Sequence, residues 1–182
     1  MNIALDFDSV VNDLSTAMCN AANTRFNTTY KHEDWITWDF WSDQPQEIHD
    51  YLWQEAFVDE TFTLRIPPMK DAIAVVRRLM NEHNVYIFSD RKEHFQTTVE
   101  SWFSQYGLWP EVVLTDRYTN PKAAMAVTKE IDLAIDDAPH NVLEYVDTVR
   151  RVMIYDHPWN RDIELPLSVE RVFNWKQILN EI

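Results

Sequence analysis

Gly107 is the only glycine in 182 residues, and that scarcity limits the backbone more than any other property of the chain. The dinucleotide fingerprint and the P-loop both need several glycines where backbone approaches phosphate, so neither is present. Any phosphate chemistry must use side chains, metal ions and helix N-termini. Left-handed turn positions are expected to fall to Asn and Asp, which tolerate that conformation better than most residues.

Extended and helical patterns alternate along most of the chain. Residues 2–5 form an apolar run that ends in Asp6 and Asp8, and Leu14, Ala17, Met18 and Ala21 then recur on one face of a helix from about Asn12 to Phe26. From Met69 the rhythm is regular: a helix carrying Ile73, Val76, Leu79 and Met80, the strand NVYIFS ending at Ser89, and a helix from Glu93 to Tyr106. EVVLT, a helix near Pro121, DLAID, a helix from Pro139, RVMIY and a last helix from Trp175 to Ile182 follow. Short strands alternating with helices predict an α/β fold, a Rossmann-like parallel sheet with helices on both faces.

Residues 13–66 break the alternation. They concentrate Trp35, Trp38, Phe40, Trp41, Trp53, Phe57 and Phe62, hold one predicted helix from Pro45 to Phe57, and stop at Pro67 and Pro68. This segment reads as a small helical cap inserted after the first strand, leaving residues 1–12 and 67–182 as the core. The tail is expected to close one edge of the sheet.

Composition sets the outer limits. Hydrophobic residues at 46% and aromatics at 13% give enough apolar surface for a globular core despite a net charge of −14. No run approaches the ~18 apolar residues of a membrane span, and the N-terminus lacks the regions of a signal peptide, so a cytoplasmic protein with no membrane partner is expected. Cys19 stands alone, which excludes an internal disulfide and predicts a buried filler. Thirty acidic side chains oppose binding to a polynucleotide. A small phosphorylated molecule remains compatible where a divalent cation and a lysine reverse the local field.

In an open parallel sheet the ligand site lies beyond the carboxyl ends of the strands. Those ends carry Asp6 and Asp8, then Ser89, Asp90 and Arg91, then Asp136 and Asp137. Aspartates also serve as loop acids or N-caps. Two acidic pairs that each end an apolar strand instead ask for a neutralising cation, or for one carboxyl to stay protonated. Oxygen-only ligation favours Mg2+ over zinc or copper. Lys122 opens the helix before the fourth strand, where the helix dipole disfavours a cation, and there it is suited to phosphate charge.

Together LDFDSVV, YIFSD, NPKAA and LAIDD resemble, in order, the motifs of the haloacid dehalogenase-like (HAD) phosphatases. DFDSVVNDL, WITWDF, IDDAPHN and HPWN are further similar to the 5′(3′)-deoxyribonucleotidase family, with one departure, Ser9, where relatives carry Gly. The resemblance implies a Mg2+-dependent phosphatase of nucleoside or deoxynucleoside monophosphates that works through an aspartyl-phosphate. Asp6 would be the nucleophile and Asp8 the proton donor and acceptor, with Asp8 also offering its backbone carbonyl to the metal. Asp136 would complete the metal site with Asp137 as a ligand or as a partner orienting one, while Ser89 and Lys122 hold phosphate oxygens.

Trp38, Phe40 and Trp41 are candidates to stack a base, although a segment of this size also needs aromatics for its own core. Arg91 and Arg117 are candidates to hold phosphate or ribose. The six histidines lack ligand spacing and are expected on the surface or as caps, with HPWN fixing a loop near the active face. Two other readings stay open, a phosphatase for another small phosphomonoester and a non-catalytic Mg2+/phosphate-binding module. A monomer or homodimer is expected.

Overall fold

Six short segments pair side by side in one parallel sheet: β1 (Asn2–Asp6), β2 (Asn84–Ser89), β3 (Glu111–Leu114), β4 (Leu133–Asp136), β5 (Arg151–Tyr155) and β6 (Val169–Val172). The computed structural model describes residues 1–182. Parallel neighbours cannot be joined by hairpins, so helices make the crossovers. These are α4 (Ala72–Glu82), α5 (Gln96–Ser104), α6 (Lys122–Thr128) and α7 (Pro139–Tyr145), with α8 (Trp175–Glu181) after the last strand. Between β1 and α4 lie α1 (Leu14–Phe26), α2 (Gln46–Phe57) and α3 (Glu60–Arg65).

Strand periodicity decides which helix packs where. Ile3 and Leu5 of β1 face a cluster with Val76 and Leu79 of α4, Val99 and Trp102 of α5, and Trp175 and Ile178 of α8. Ala4, one residue out of phase, faces the opposite cluster with Ala126 of α6 and Val142 and Tyr145 of α7. The sheet is thus covered on both sides, as a parallel sheet requires. A third cluster draws Leu14, Met18, Cys19 and Ala22 from α1, Ile48, Leu52 and Ala56 from α2, and Phe62 from α3.

Strand order is β3-β2-β1-β4-β5-β6, so the chain winds one way from β1 to β3 and the other way from β4 to β6. The reversal falls between β1 and β4 and opens a crevice at their carboxyl ends.

Three local features differ from the expectation. β6 and α3 are additional elements, and the helix expected from Glu93 is a 3-10 turn over Glu93–Phe95 before α5 begins. β6 reads VERV, whose central charged pair hides a strand signal, and it forms the sheet edge where such charges are tolerated. Left-handed backbone falls to Asn27 and Asp71, as Asn and Asp should, but also to Ser9 and Glu130.

Candidate active site

Strand pairing brings the acids together. β1 and β4 run in register with Leu5 beside Ile135, so the next residues, Asp6 and Asp136, end neighbouring strands at the crevice. Carboxylate oxygens of Asp6, Asp136 and Asp137 lie within 4.8 Å of one another, and all three residues are buried. Lys122 enters from the first turn of α6, and its Nζ donates to Asp6 Oδ1 at 2.5 Å and to Asp136 Oδ2 at 2.9 Å.

Each acid is aimed by its neighbours. Asp136 accepts the backbone N–H of Ala138 at 2.9 Å and both its oxygens face Asn141 Nδ2, at 3.3 and 3.2 Å. Asp137 Oδ2 accepts the indole N–H of Trp159 at 3.1 Å. The HPWN turn is itself fixed, because Asn160 Nδ2 donates to the carbonyls of Asp137 and Tyr155 at 2.9 and 2.8 Å. His157 of that turn is 1% exposed, so this histidine caps from inside the protein and not from its surface.

Charge is unbalanced here. Three buried carboxylates face one ammonium. Burial works against the Lys122 charge, but Asp136 and Asp6 more than offset it and hold the amine well above the ordinary lysine range. Burial pushes Asp6 well above the carboxylate range despite the opposing pull of Lys122, with Asp136 and Asp137 adding to the rise. Asp137 is raised to about 7 by burial and by the Asp136 charge. A donor set of oxygens alone, with negative charge left over after Lys122, fits a hard divalent cation. Asp6, Asp136 and Asp137 would hold it.

Asp8 is set apart from this group. Its two oxygens accept from the Arg91 guanidinium, Nε to Oδ2 at 2.8 Å and Nη2 to Oδ1 at 2.9 Å, and Oδ1 also accepts from Asn12 Nδ2 at 2.8 Å. Ser89, 1% exposed at the end of β2, accepts the Arg91 backbone N–H at 3.4 Å and directs its hydroxyl proton to no protein group.

A cavity of about 390 Å3 stands over the acids. Its polar wall includes Asp6, Asp8, Asp90, Lys122, Asp137 and His140, and its aromatic wall includes Trp35, Trp38, Trp41, Trp53, Phe57 and Trp159. Trp38 is 46% exposed and packs edge-on to His140, with ring centroids 5.1 Å apart.

Several sequence-based assignments change in three dimensions. Trp41 lines the cavity but is 7% exposed and packed into the third apolar cluster, while Phe40 packs against that cluster outside the lining. Arg117 lies exposed on the turn before α6, outside the lining. Arg91 is 3% exposed and spends its donors on Asp8 and on two groups of α2 and α3, the Ala56 carbonyl and Thr63 Oγ1, so it is not a free phosphate ligand.

Sequence reading missed Trp53, His49, Asn141 and Trp159, and it placed Asp90 at a strand end without giving it a role. A signal for two of them was present. Ile48, Leu52 and Ala56 form the buried stripe of α2, and His49, Trp53 and Phe57 repeat the same spacing one position on, which puts them on the adjoining stripe at the cavity.

Comparison with known proteins adds the following. The family model described as "5' nucleotidase, deoxy (Pyrimidine), cytosolic type C protein" matches residues 1–182. A protein of Halalkalibacterium halodurans named "Putative nucleotidase" is 24% identical over 176 residues, covering 95% of this chain and 88% of the relative. A HAD-superfamily hydrolase, subfamily IA, from Geobacter sulfurreducens superposes with a TM-score of 0.62 at 14% identity, covering 99% of this chain and 95% of that one. A Bacillus subtilis protein described as a "putative HAD-hydrolase" and "bound to magnesium" gives 0.63 at 10% identity, covering 99% and 97%.

Proposed function

The chain belongs to the cytosolic type C 5′(deoxy)nucleotidase family, and from that membership we propose that it is a Mg2+-dependent phosphatase of nucleoside and deoxynucleoside monophosphates. One observation carries the chemistry: three buried carboxylates, two of them bridged by Lys122, lie at the reversal point of the sheet beneath an aromatic-walled cavity. Residues 13–66 act as the cap that supplies the aromatic wall together with Trp159, and residues 1–12 with 67–182 act as the core.

Asp6 is the nucleophile. Its free carboxylate oxygen attacks phosphorus, the bond from phosphorus to the ribose oxygen breaks, and the phosphoryl group passes to Asp6 as an acyl phosphate. Lys122 compensates the charge of the phosphoryl oxygens from its position between Asp6 and Asp136. Ser89 offers its uncommitted hydroxyl proton to one of those oxygens. Asp8 gives a proton to the departing ribose oxygen, then takes one from the water that attacks the acyl phosphate, which restores Asp6 and releases phosphate. Asp6, Asp136 and Asp137, with the Asp8 carbonyl, would hold Mg2+, which would supply positive charge for the transferring group.

The cavity's size and its half-exposed indoles support a nucleoside as the leaving group. A binding-only module would have no use for a proton-transferring acid beside the nucleophile.

The test is phosphate release from a panel of nucleoside 5′- and 3′-monophosphates, sugar phosphates and p-nitrophenyl phosphate, with Mg2+ and with EDTA. Nucleotides should be preferred and EDTA should stop turnover. Asp6→Asn should abolish activity, and Asp8→Asn should lower nucleotide turnover by roughly 10²- to 10⁴-fold. Preference for a sugar phosphate by orders of magnitude would overturn the substrate class, and near-normal turnover in Asp6→Asn would overturn the mechanism.

A further inference from the structure

Arg91 is a buried side chain that touches both Asp8 and the helices α2 and α3. Its fork grips both oxygens of Asp8 at 2.8 and 2.9 Å. Its Nη1 donates to the carbonyl of Ala56 in α2 at 2.8 Å and to Thr63 Oγ1 in α3 at 2.7 Å. The guanidinium also stacks over Phe95 at 5.0 Å and lies 5.8 Å from the ring of Phe57, a cavity residue on α2. Removing an arginine from water is costly unless its donors are met, and here four N–H groups are met by an acid and by two groups from residues 13–66.

We propose that Arg91 is a positioning residue that couples the seating of α2 and α3 to the orientation of the Asp8 carboxyl. The proposal rests on the assignment of Asp8 as the proton-transferring group. While the fork is closed, both Asp8 oxygens accept from Arg91, which fixes the plane and direction of the carboxyl. A nucleoside in the cavity presses on α2 through Trp53 and Phe57, which flank Ala56 on the same helix. The Arg91 bonds to Ala56 and Thr63 transmit that change of seating to Asp8. The nucleoside end of the substrate thereby contributes to the chemical step as well as to affinity.

The experiment is single-turnover kinetics on two substrates. A nucleoside 5′-monophosphate needs its leaving oxygen protonated, whereas p-nitrophenolate leaves without a proton. Arg91→Lys retains the charge but not the fork, and should slow nucleoside release by about 10²-fold, with p-nitrophenol release changed by less than about threefold. Thr63→Val deletes one helix bond and leaves the fork on Asp8. It should slow nucleoside release severalfold and spare p-nitrophenol.

Equal losses on both substrates would make Arg91 a structural anchor and overturn the proposal, as would no loss on either. Should Arg91→Lys fail to fold, Thr63→Val decides alone, and unchanged nucleoside release in that variant refutes the coupling. Failure of the underlying assignment shows separately: wild-type protein would release neither product, or Asp8→Asn would release nucleoside at the normal rate, and the proposal would fall with it.

Discussion

Ser9 follows Asp8 with a left-handed φ of 60°, a conformation that costs a side-chain-bearing residue roughly 1 kcal/mol or more. Two bonds hold it there: its N–H donates to Asn12 Oδ1 at 3.1 Å and its carbonyl accepts from His157 Nε2 at 2.6 Å. A carbonyl only accepts, so Nε2 of His157 carries the proton and its Nδ1 is the acceptor toward His32 Nε2 at 3.3 Å. His32 Nδ1 in turn lies 2.8 Å from Ser15 Oγ, whose hydroxyl is also 3.4 Å from Asp13 Oδ1. Burial pushes His157 down to about 3, with the nearby His32 and Arg161 pulling the same way against the Ser9 carbonyl and Asp156. The unfolded chain therefore binds more protons than the folded one between about 3 and 6.5. The stability is fully present above that window and is lost as pH falls through it. Replacing His157 by Gln, which retains an amide donor for Ser9, should flatten the fall in melting temperature between about pH 7 and about pH 5. An unchanged slope would place the acid sensitivity elsewhere.

At the scale of elements, α2 shows one helix doing two jobs on adjoining stripes. Leu52 is 1% exposed and packs into the cluster shared with α1 and α3, whereas Trp53 is 51% exposed at the cavity. Trp38, on the irregular segment before α2, offers a second half-exposed ring. A base needs an open aromatic face, and Trp38 and Trp53 offer far more of one than Trp41 does. Stacking contributes about 1–3 kcal/mol per base, so Trp38→Ala and Trp53→Ala should each raise KM for nucleotides by roughly 5- to 150-fold. KM for p-nitrophenyl phosphate should change far less. A uniform rise for both substrates would tie these rings to phosphate access. Sequence periodicity located α2 but could not choose among eight tryptophans, because stacking and core packing use the same ring.

For the whole molecule, the winding of the sheet is what turns scattered aspartates into a site. Asp6 and Asp136 are 130 residues apart in the chain but end adjacent parallel strands, and Lys122 reaches both from one helix turn. Their surplus negative charge suits the folded state, and not the unfolded chain, to a divalent cation. Mg2+ at about 100 times its Kd should stabilise the protein by ~2.7 kcal/mol, equivalent to roughly 5 to 11 °C of melting temperature at this size. Absence of a shift, measured against EDTA-treated protein, would count against the metal site. The strand-and-helix rhythm, the four motifs and the acids at the strand ends were legible in the sequence, because hydrophobic period and residue chemistry are local properties. Tertiary structure alone decided that the Arg91 donors go to Asp8 and to the overlying helices. It also decided that Phe40 and Arg117 stay outside the cavity lining, and that Trp53, Asn141 and Trp159 belong to the site. Those outcomes depend on which groups distant in the chain reach a side chain's donors first, and no local pattern encodes that distance.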